Sequence, residues 1–338
     1  MKLPRHAELW LAGYVRDRIE RRPPREGSRV WFAIADHWEP YSGKPPDEVA
    51  RDRVALWAKH WPAVAELHAD STGRPPQYTF FYPQEEYRPE FLDSLVEVRR
   101  RGFGDVDVHI HHNGEGEQNF VDRMKGFLET LTTRHGLLRQ YGGRTVFGFI
   151  HGNWALDNSL PGGAWCGLNN EITLLRDLGC YADFTMPSGN SPTQSRIVNT
   201  IYWATDDPAL PKSYDHGVPV ERGVKSTGDL LMIPGPFGLR WSERLAPRLE
   251  KGEIGSHDLA TAYRVQRWLE LAPRIGRDIF IKMYTHGCQE RHSKALLLAG
   301  GFDQLFRLLS ETCRRHEHEL HYVSTWEMRQ AVDAAISC

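Results

Sequence analysis

Short runs rich in β-branched and aromatic residues recur along the chain and alternate with longer segments of helical spacing. The strand candidates are 29–35 (RVWFAIA), 77–82 (QYTFFY), 105–111 (DVDVHIH), 144–150 (RTVFGFI), 181–185 (YADFT), 229–234 (DLLMIP), 278–285 (DIFIKMYT) and 320–324 (LHYVS). Helix candidates lie at 47–69, 89–101, 118–140, 168–178, 257–274, 302–317 and 325–336. Parallel strands need a crossover long enough to hold a helix, so this alternation predicts βαβ units in an α/β fold. Seven or eight such units close into a barrel or lie open as a doubly wound sheet, and both architectures carry their chemistry at the C-terminal ends of the strands. A chain of 338 residues can form one large domain over 1–338, with residues 1–28 as a helical extension. Residues 186–256 are rich in turn formers and poor in helical periodicity. They read as a long irregular insertion, with a hairpin around NTIYWATDD and a short helix over SERLAPRLEKGE.

Five of the strand ends carry polar clusters: ADHWEP, HHNGE, HGNWALDN, PSGN and HGCQERH. In DVDVHIH the period of two puts Asp105, Asp107, His109 and His111 on one face, and Val106, Val108, Ile110 and His112 on the other. His109 and His111 project the same way, about 7 Å apart. Neutral imidazoles beside a carboxylate from a neighbouring strand end suit a divalent transition metal such as zinc, which keeps an open water position when it is catalytic. Asp36 can supply that carboxylate; His37 and Glu39 just beyond it are candidates for an outer partner or a general base. His286 ends a late strand, and its ring, titrating near neutrality, is suited to protonating a leaving group. His151 is followed by Asn153, Trp154 and Asp157, a mixture of amide, aromatic and acid that suits the hydroxyl edge and C–H face of a sugar.

Composition narrows the field. Forty-two basic against 44 acidic residues leave a net charge of -2, so nothing points to a nucleic-acid backbone. Charges interrupt the N-terminal apolar residues, which lack the continuous core of a signal peptide, and no run approaches the roughly 20 apolar residues of a transmembrane segment. The expectation is a cytoplasmic protein. The five cysteines are odd in number, widely spaced and without a C-x-x-C pair, which favours reduced thiols. The chain has no G-x-x-x-x-G-K-S/T, no G-x-G-x-x-G opening a helix, no G-x-S-x-G and no H-E-x-x-H, so nucleotide-driven, nicotinamide-dependent and serine-esterase chemistry lose ground to a metal-activated water.

The order of these motifs resembles the polysaccharide deacetylase family, carbohydrate esterase family 4, and especially its divergent bacterial members from surface-polysaccharide gene clusters. The resemblance runs over most of the chain, from strand 29–35 to the last helix. It implies a deformed (β/α)7 barrel of parallel strands, a divalent metal ion such as zinc held by an aspartate and two histidines, and removal of N- or O-acetyl groups from glycans. Asp36 matches the family's metal-binding aspartate, while Ala35 stands where its base would be, leaving His37 or Glu39 as the local candidates for that role. DVDVH matches the strand before the first histidine ligand, His109. The second falls four positions later in the family, where this chain has Asn113, so either His111 or His112 takes its place or the metal is held differently. HGNW replaces an arginine-and-proline motif, and MYTH places His286 as the family's general acid.

The combined expectation is a metal-dependent hydrolase that deacetylates an N- or O-acetylated saccharide in polysaccharide or glycolipid biosynthesis. Asp36, His109 and His111 would hold the metal, His286 and His37 would move protons, and His151, Asn153, Trp154 and Asp157 would line the sugar site. Two alternatives differ in class: a glycoside hydrolase using Asp36 with Asp157 or Glu115 as paired carboxylates, and an inactive glycan-binding homologue.

Overall fold

The computed structural model describes residues 3–242 and 246–337. Its centre is a parallel sheet of β1 (Arg29–His37), β2 (Tyr78–Pro83), β3 (Gly104–Ile110), β4 (Arg144–His151), β5 (Cys180–Asp183), β6 (Leu230–Met232) and β7 (Asp278–Thr285), in the spatial order β7-β1-β2-β3-β4-β5-β6. A further strand, β8 (Glu319–Tyr322), runs parallel to the first half of β1, and β2 takes over along its second half. The helices are α1 (Ala7–Glu20), α2 (Asp47–Ala65), α3 (Pro89–Arg100), α4 (Glu117–Glu129), α5 (Glu171–Leu178), α6 (Ala262–Leu271), α7 (Gly301–Arg315) and α8 (Thr325–Ser337). None among the described residues is long and apolar enough to cross a membrane.

Alternation along the strands divides the core in two. Val30, Phe32 and Ile34 of β1, with Val106, Val108 and Ile110 of β3, pack against α2, α3, α4 and α7 in the larger apolar cluster. Ala33 and Ala35 of β1 face the other way, meeting Phe81, Ile150, Leu231 and Phe280 from four more strands and Met328 and Val332 of α8. Strands from both halves of the sheet share that second cluster, so the sheet curves around it. The acidic start of β3 belongs to this enclosed face: Asp105 and Asp107 pair with Arg139, and Asp107 also accepts from Tyr181 Oη at 2.6 Å and Gly148 N at 2.8 Å.

No strand pairing joins β6 to β7 among the described residues, so a side chain takes the place of a ladder at that seam. Lys282 of β7, fully buried, donates to the carbonyls of Phe184 (2.8 Å) and Met186 (2.7 Å), which follow β5. Segment 252–254 runs along the end of β7, where Tyr284 N donates to Gly252 O at 2.7 Å and Ile254 N to Tyr284 O at 2.8 Å. In place of the expected closed barrel, the described residues form a curved, mostly parallel sheet whose β6 and β7 are not joined by strand pairing.

Three local expectations change. The helix expected over 118–140 ends in a π-turn at Thr130–Arg134, and Arg139–Tyr141 returns as a strand antiparallel to β4, which brings Arg139 to its aspartates. The stretch 186–256 is built into the sheet: it contains β6, and Tyr202–Ala204 lies antiparallel between β6 and Gly217–Pro219. The helix expected over SERLAPRLEKGE is replaced by strand Pro247–Glu250 paired with Gly238–Trp241, which turns the Glu250 carboxylate inward to Arg264 at 2.7 Å; residues 243–245 of that expectation lie outside the described residues. The N-terminal extension does form a helix, anchored by Trp10 edge-on against Phe237.

Lys282→Met keeps an apolar stem but leaves two buried carbonyls without a donor, so it is expected to lower the unfolding free energy by about 2–4 kcal/mol. Burial depresses the ammonium pKa to about 7, against the pull of Asp183. The unfolded chain then binds more protons than the folded one between about pH 7 and pH 10, so wild-type stability relative to the variant rises across that window and the buried-charge penalty is full below it. Denaturant unfolding across this range measures both effects, and a flat difference would contradict the linkage.

Candidate functional site

The mouth of the curved sheet is formed where β1, β3 and β7 end. Parity places His37 with Ala33 and Ala35 on the enclosed face of β1, and His109 with Asp105 and Asp107 on the enclosed face of β3. His37 lies edge-on to His109 (ring centroids 5.2 Å apart) and stacks on His286 at 4.7 Å with a 27° interplanar angle. Glu39 stands between them: its Oε1 is 3.4 Å from His109 Nε2 and 3.5 Å from His111 Nε2. Glu39 joins two groups of convergent ligand atoms, one with His109 and His111 and one with His37 and His286.

Each of the two β3 imidazoles is held from behind. His109 Nδ1 lies 2.8 Å from the Ile150 carbonyl, so it carries the proton and leaves Nε2 as a lone pair; that buried Nε2 has no hydrogen-bond partner. His111 Nδ1 bonds the Glu85 carboxylate, and its Nε2 likewise faces Glu39. A histidine whose far nitrogen is engaged by a carbonyl or carboxylate is oriented as metal ligands are. Burial alone would raise the Glu39 carboxyl, but the neighbouring His109, His286 and His111 imidazoles draw it down to about 2. Burial pushes His37 well below its ordinary value, reinforced by neighbouring positive charge, and burial lowers His286 as well. Two nitrogens and an ionised carboxylate open toward solvent thus form a donor set that fits zinc or a similar divalent ion.

Asp36 does not join this set. It points to the opposite face of β1, fully buried, where Oδ1 accepts from Gly287 N at 2.8 Å and burial raises its carboxyl well above the ordinary range. The carboxylate beside the two imidazoles is Glu39. A side chain at Gly287 would meet Trp57, the Tyr78 hydroxyl and Asp36 within 2.8 Å, so glycine is what allows the chain beyond His286 to pass over Asp36.

The expected sugar-lining residues separate. Trp154 is at the mouth, 5.4 Å from His37, 5.8 Å from His286 and 6.1 Å from Tyr284, and its buried indole N–H has no partner. Asn153 is exposed beside it, both residues being in the left-handed region. His151 and Asp157 are fully buried elsewhere. His151 faces the helices, 2.9 Å from His112, and the Asp157 carboxylate accepts from Ser213 N at 2.6 Å, with burial raising its pKa to about 8. Asn113 is exposed and accepts from Trp165 N. The paired carboxylates a glycoside hydrolase needs do not form from these acids: Asp36 and Asp157 have no exposed surface, and Glu115 is paired with Arg123.

No protein family model matches the sequence, and no curated protein sequence matches it. Among solved structures, similarity is found to a crystal structure from Mycobacterium smegmatis described as a "putative polysaccharide deacetylase". It is 12% identical, covers 94% of this chain and 97% of the other, and has a TM-score of 0.45. Neither fold nor chemistry is carried over at that level.

The geometry distinguishes the two carboxylates on β1. Glu39→Gln is expected to weaken exchangeable zinc by more than the about 10–100-fold that loss of an outer partner costs. Asp36→Asn, which replaces a buried carboxyl by an amide of the same shape, should change zinc affinity less than about threefold and stability by less than about 1 kcal/mol. Competition with a chromogenic chelator checks both variants, and the opposite ranking would return the ligand role to Asp36.

Proposed function

We propose that the protein is a metal-dependent hydrolase that removes an acetyl group from an N- or O-acetylated saccharide. The observation that carries this reading is the buried, unpartnered His109 Nε2 facing the same carboxylate as His111, beside a stacked histidine pair and a half-buried tryptophan. The motif order from ADHWEP through DVDVHIHH to MYTH supports it independently.

Glu39, His109 and His111 would hold the ion. When bound there, a divalent ion supplies Lewis-acid polarisation of the acetyl carbonyl and a lowered pKa for water. His37, held neutral by burial, accepts the proton of the attacking water. The proton taken up by His37 passes through the mouth to His286, stacked on it, which gives it to the departing amine or alcohol as the C–N or C–O bond breaks, so both imidazoles end the cycle neutral, as they began. Trp154 offers an aromatic face to sugar C–H groups, with Asn153 exposed next to it. A substrate built into polysaccharide or glycolipid and a cytoplasmic location complete the proposal.

Acetate release from N-acetylated oligosaccharides by zinc-loaded protein tests the reading. His37→Ala and His286→Ala are each expected to lower kcat by about 10²–10⁴ while keeping bound metal. Trp154→Ala should act mainly on KM. Protein that binds saccharide and metal but releases no acetate would favour the inactive glycan-binding alternative, and protein that binds neither would overturn both.

A further inference from the structure

On the other side of the β3 and β4 ends lies a second cluster, closed to solvent, made by His112, His151, Cys166 and Glu171. His112 Nε2 is 2.9 Å from His151 Nε2 and 2.9 Å from Glu171 Oε1; His151 Nε2 is 3.3 Å from Glu171 Oε1; and Cys166 Sγ is 3.4 Å from Glu171 Oε2. One ligand atom from each residue lies within 4.8 Å of all the others. A tetrahedral zinc with bonds of about 2.1 Å to nitrogen or oxygen and 2.3 Å to sulfur has ligand–ligand edges of roughly 3.3–3.7 Å. The two Nε2 atoms and Glu171 Oε1, 2.9–3.3 Å apart, need to separate by up to about half an ångström, with Cys166 Sγ within 4.8 Å of each ligand atom.

His151, Cys166 and Glu171 are each held in place by the backbone around them. His151 Nδ1 donates to the Gly152 carbonyl at 2.6 Å, which leaves Nε2 as the lone pair facing the cluster. His112 has no partner for Nδ1, and its ring is turned so that Nε2 enters the cluster. Backbone N–H groups of Asn158 (3.3 Å) and Leu168 (3.5 Å) point at Cys166 Sγ, as they would toward an electron-rich sulfur; the same sulfur is 3.6 Å from the Leu168 carbonyl. Glu171 Oε2 accepts from Asp157 N at 2.7 Å, leaving Oε1 toward the histidines.

Charge makes the case stronger than distance does. A thiolate, a carboxylate and two neutral imidazoles around a divalent ion sum to zero, which is the balance a fully buried site requires. Four protein ligands with no open position are also the signature of a structural zinc rather than a catalytic one. The mouth differs on each point: Glu39 and His111 there are partly exposed, and no thiol takes part.

We propose that His112, His151, Cys166 and Glu171 form a structural site for a thiophilic divalent ion such as zinc, separate from the site at the mouth and independent of the proposed hydrolysis. It ties the ends of β3 and β4 to the start of α5 and clamps the loop 152–170 that carries Trp154. Cys166 loses its proton on binding, and that proton leaves to solvent.

Cobalt substitution tests this with a signal the mouth cannot produce. Co²⁺-loaded wild-type protein is expected to show a thiolate-to-cobalt charge-transfer band in the near ultraviolet, retained in Glu39→Gln and in Cys288→Ser and lost in Cys166→Ser. A wild-type spectrum without the band, or an unchanged band in Cys166→Ser, would overturn the assignment. Should Cys166→Ser fail to fold, X-ray absorption at the zinc edge of the unmodified protein decides: a sulfur neighbour to zinc supports the site, and a shell of nitrogen and oxygen alone refutes it.

Discussion

Side chains on a β-strand alternate strictly between its two faces, and in this protein that alternation decides which residues can meet. β1 sends Val30, Phe32, Ile34 and Asp36 toward the helices and Ala33, Ala35 and His37 into the enclosed space. β3 sends Val106, Val108, Ile110 and His112 outward and Asp105, Asp107, His109 and His111 inward. Because β1, β2 and β3 pair in parallel register, the inward residues of the two strands converge at one end of the sheet. The outward ones converge elsewhere. One histidine-rich strand end therefore feeds two clusters of different character, one open and one closed.

The same rule explains what the amino-acid order made legible. The strands, the helical crossovers and the strand ends at which chemistry collects followed from periodicity, because each is a local property. His109, His111, His37, His286 and Trp154 were found for the same reason: each sits at or just beyond an apolar run and comes to the same mouth. Asp36 matches a family position, yet parity places it with Phe32 and Ile34, on the face of β1 opposite His37. Carrying the period of two one step past the strand would have pointed to Glu39.

What the order could not show depends on contacts distant along the chain. Glu85 behind His111, Glu171 behind His112 and His151, and Lys282 across the seam all act through partners 20 to 98 residues away, where no local pattern exists. Cys166 lies in a glycine-rich stretch with no second cysteine nearby, so spacing gave it no metal-site signature. The aspartates of β3 share a strand face with His109 and His111, and their partner, Arg139, is brought to them only by the return of the chain along β4.

The two clusters are mechanically joined through the chain leaving β4. Ile110 pairs with His151 across the β3–β4 ladder, so the backbone step from His111 to His112 changes face where Gly152 passes. A side chain at Gly152 would come within 2.3 Å of the His111 ring and 2.8 Å of the Ile110 carbonyl. Close backbone approach there lets one loop brace His111 on its open side while His151 is held on the other. Asn153 and Trp154 then follow in left-handed conformations, which non-glycine residues adopt only where surrounding contacts hold them. Those contacts come from beneath, through Asp157 N on Glu171 and Asn158 N on Cys166. The loop that presents Trp154 at the mouth is thus tied, three and four residues further on, to a buried polar cluster on the other side of the strand ends.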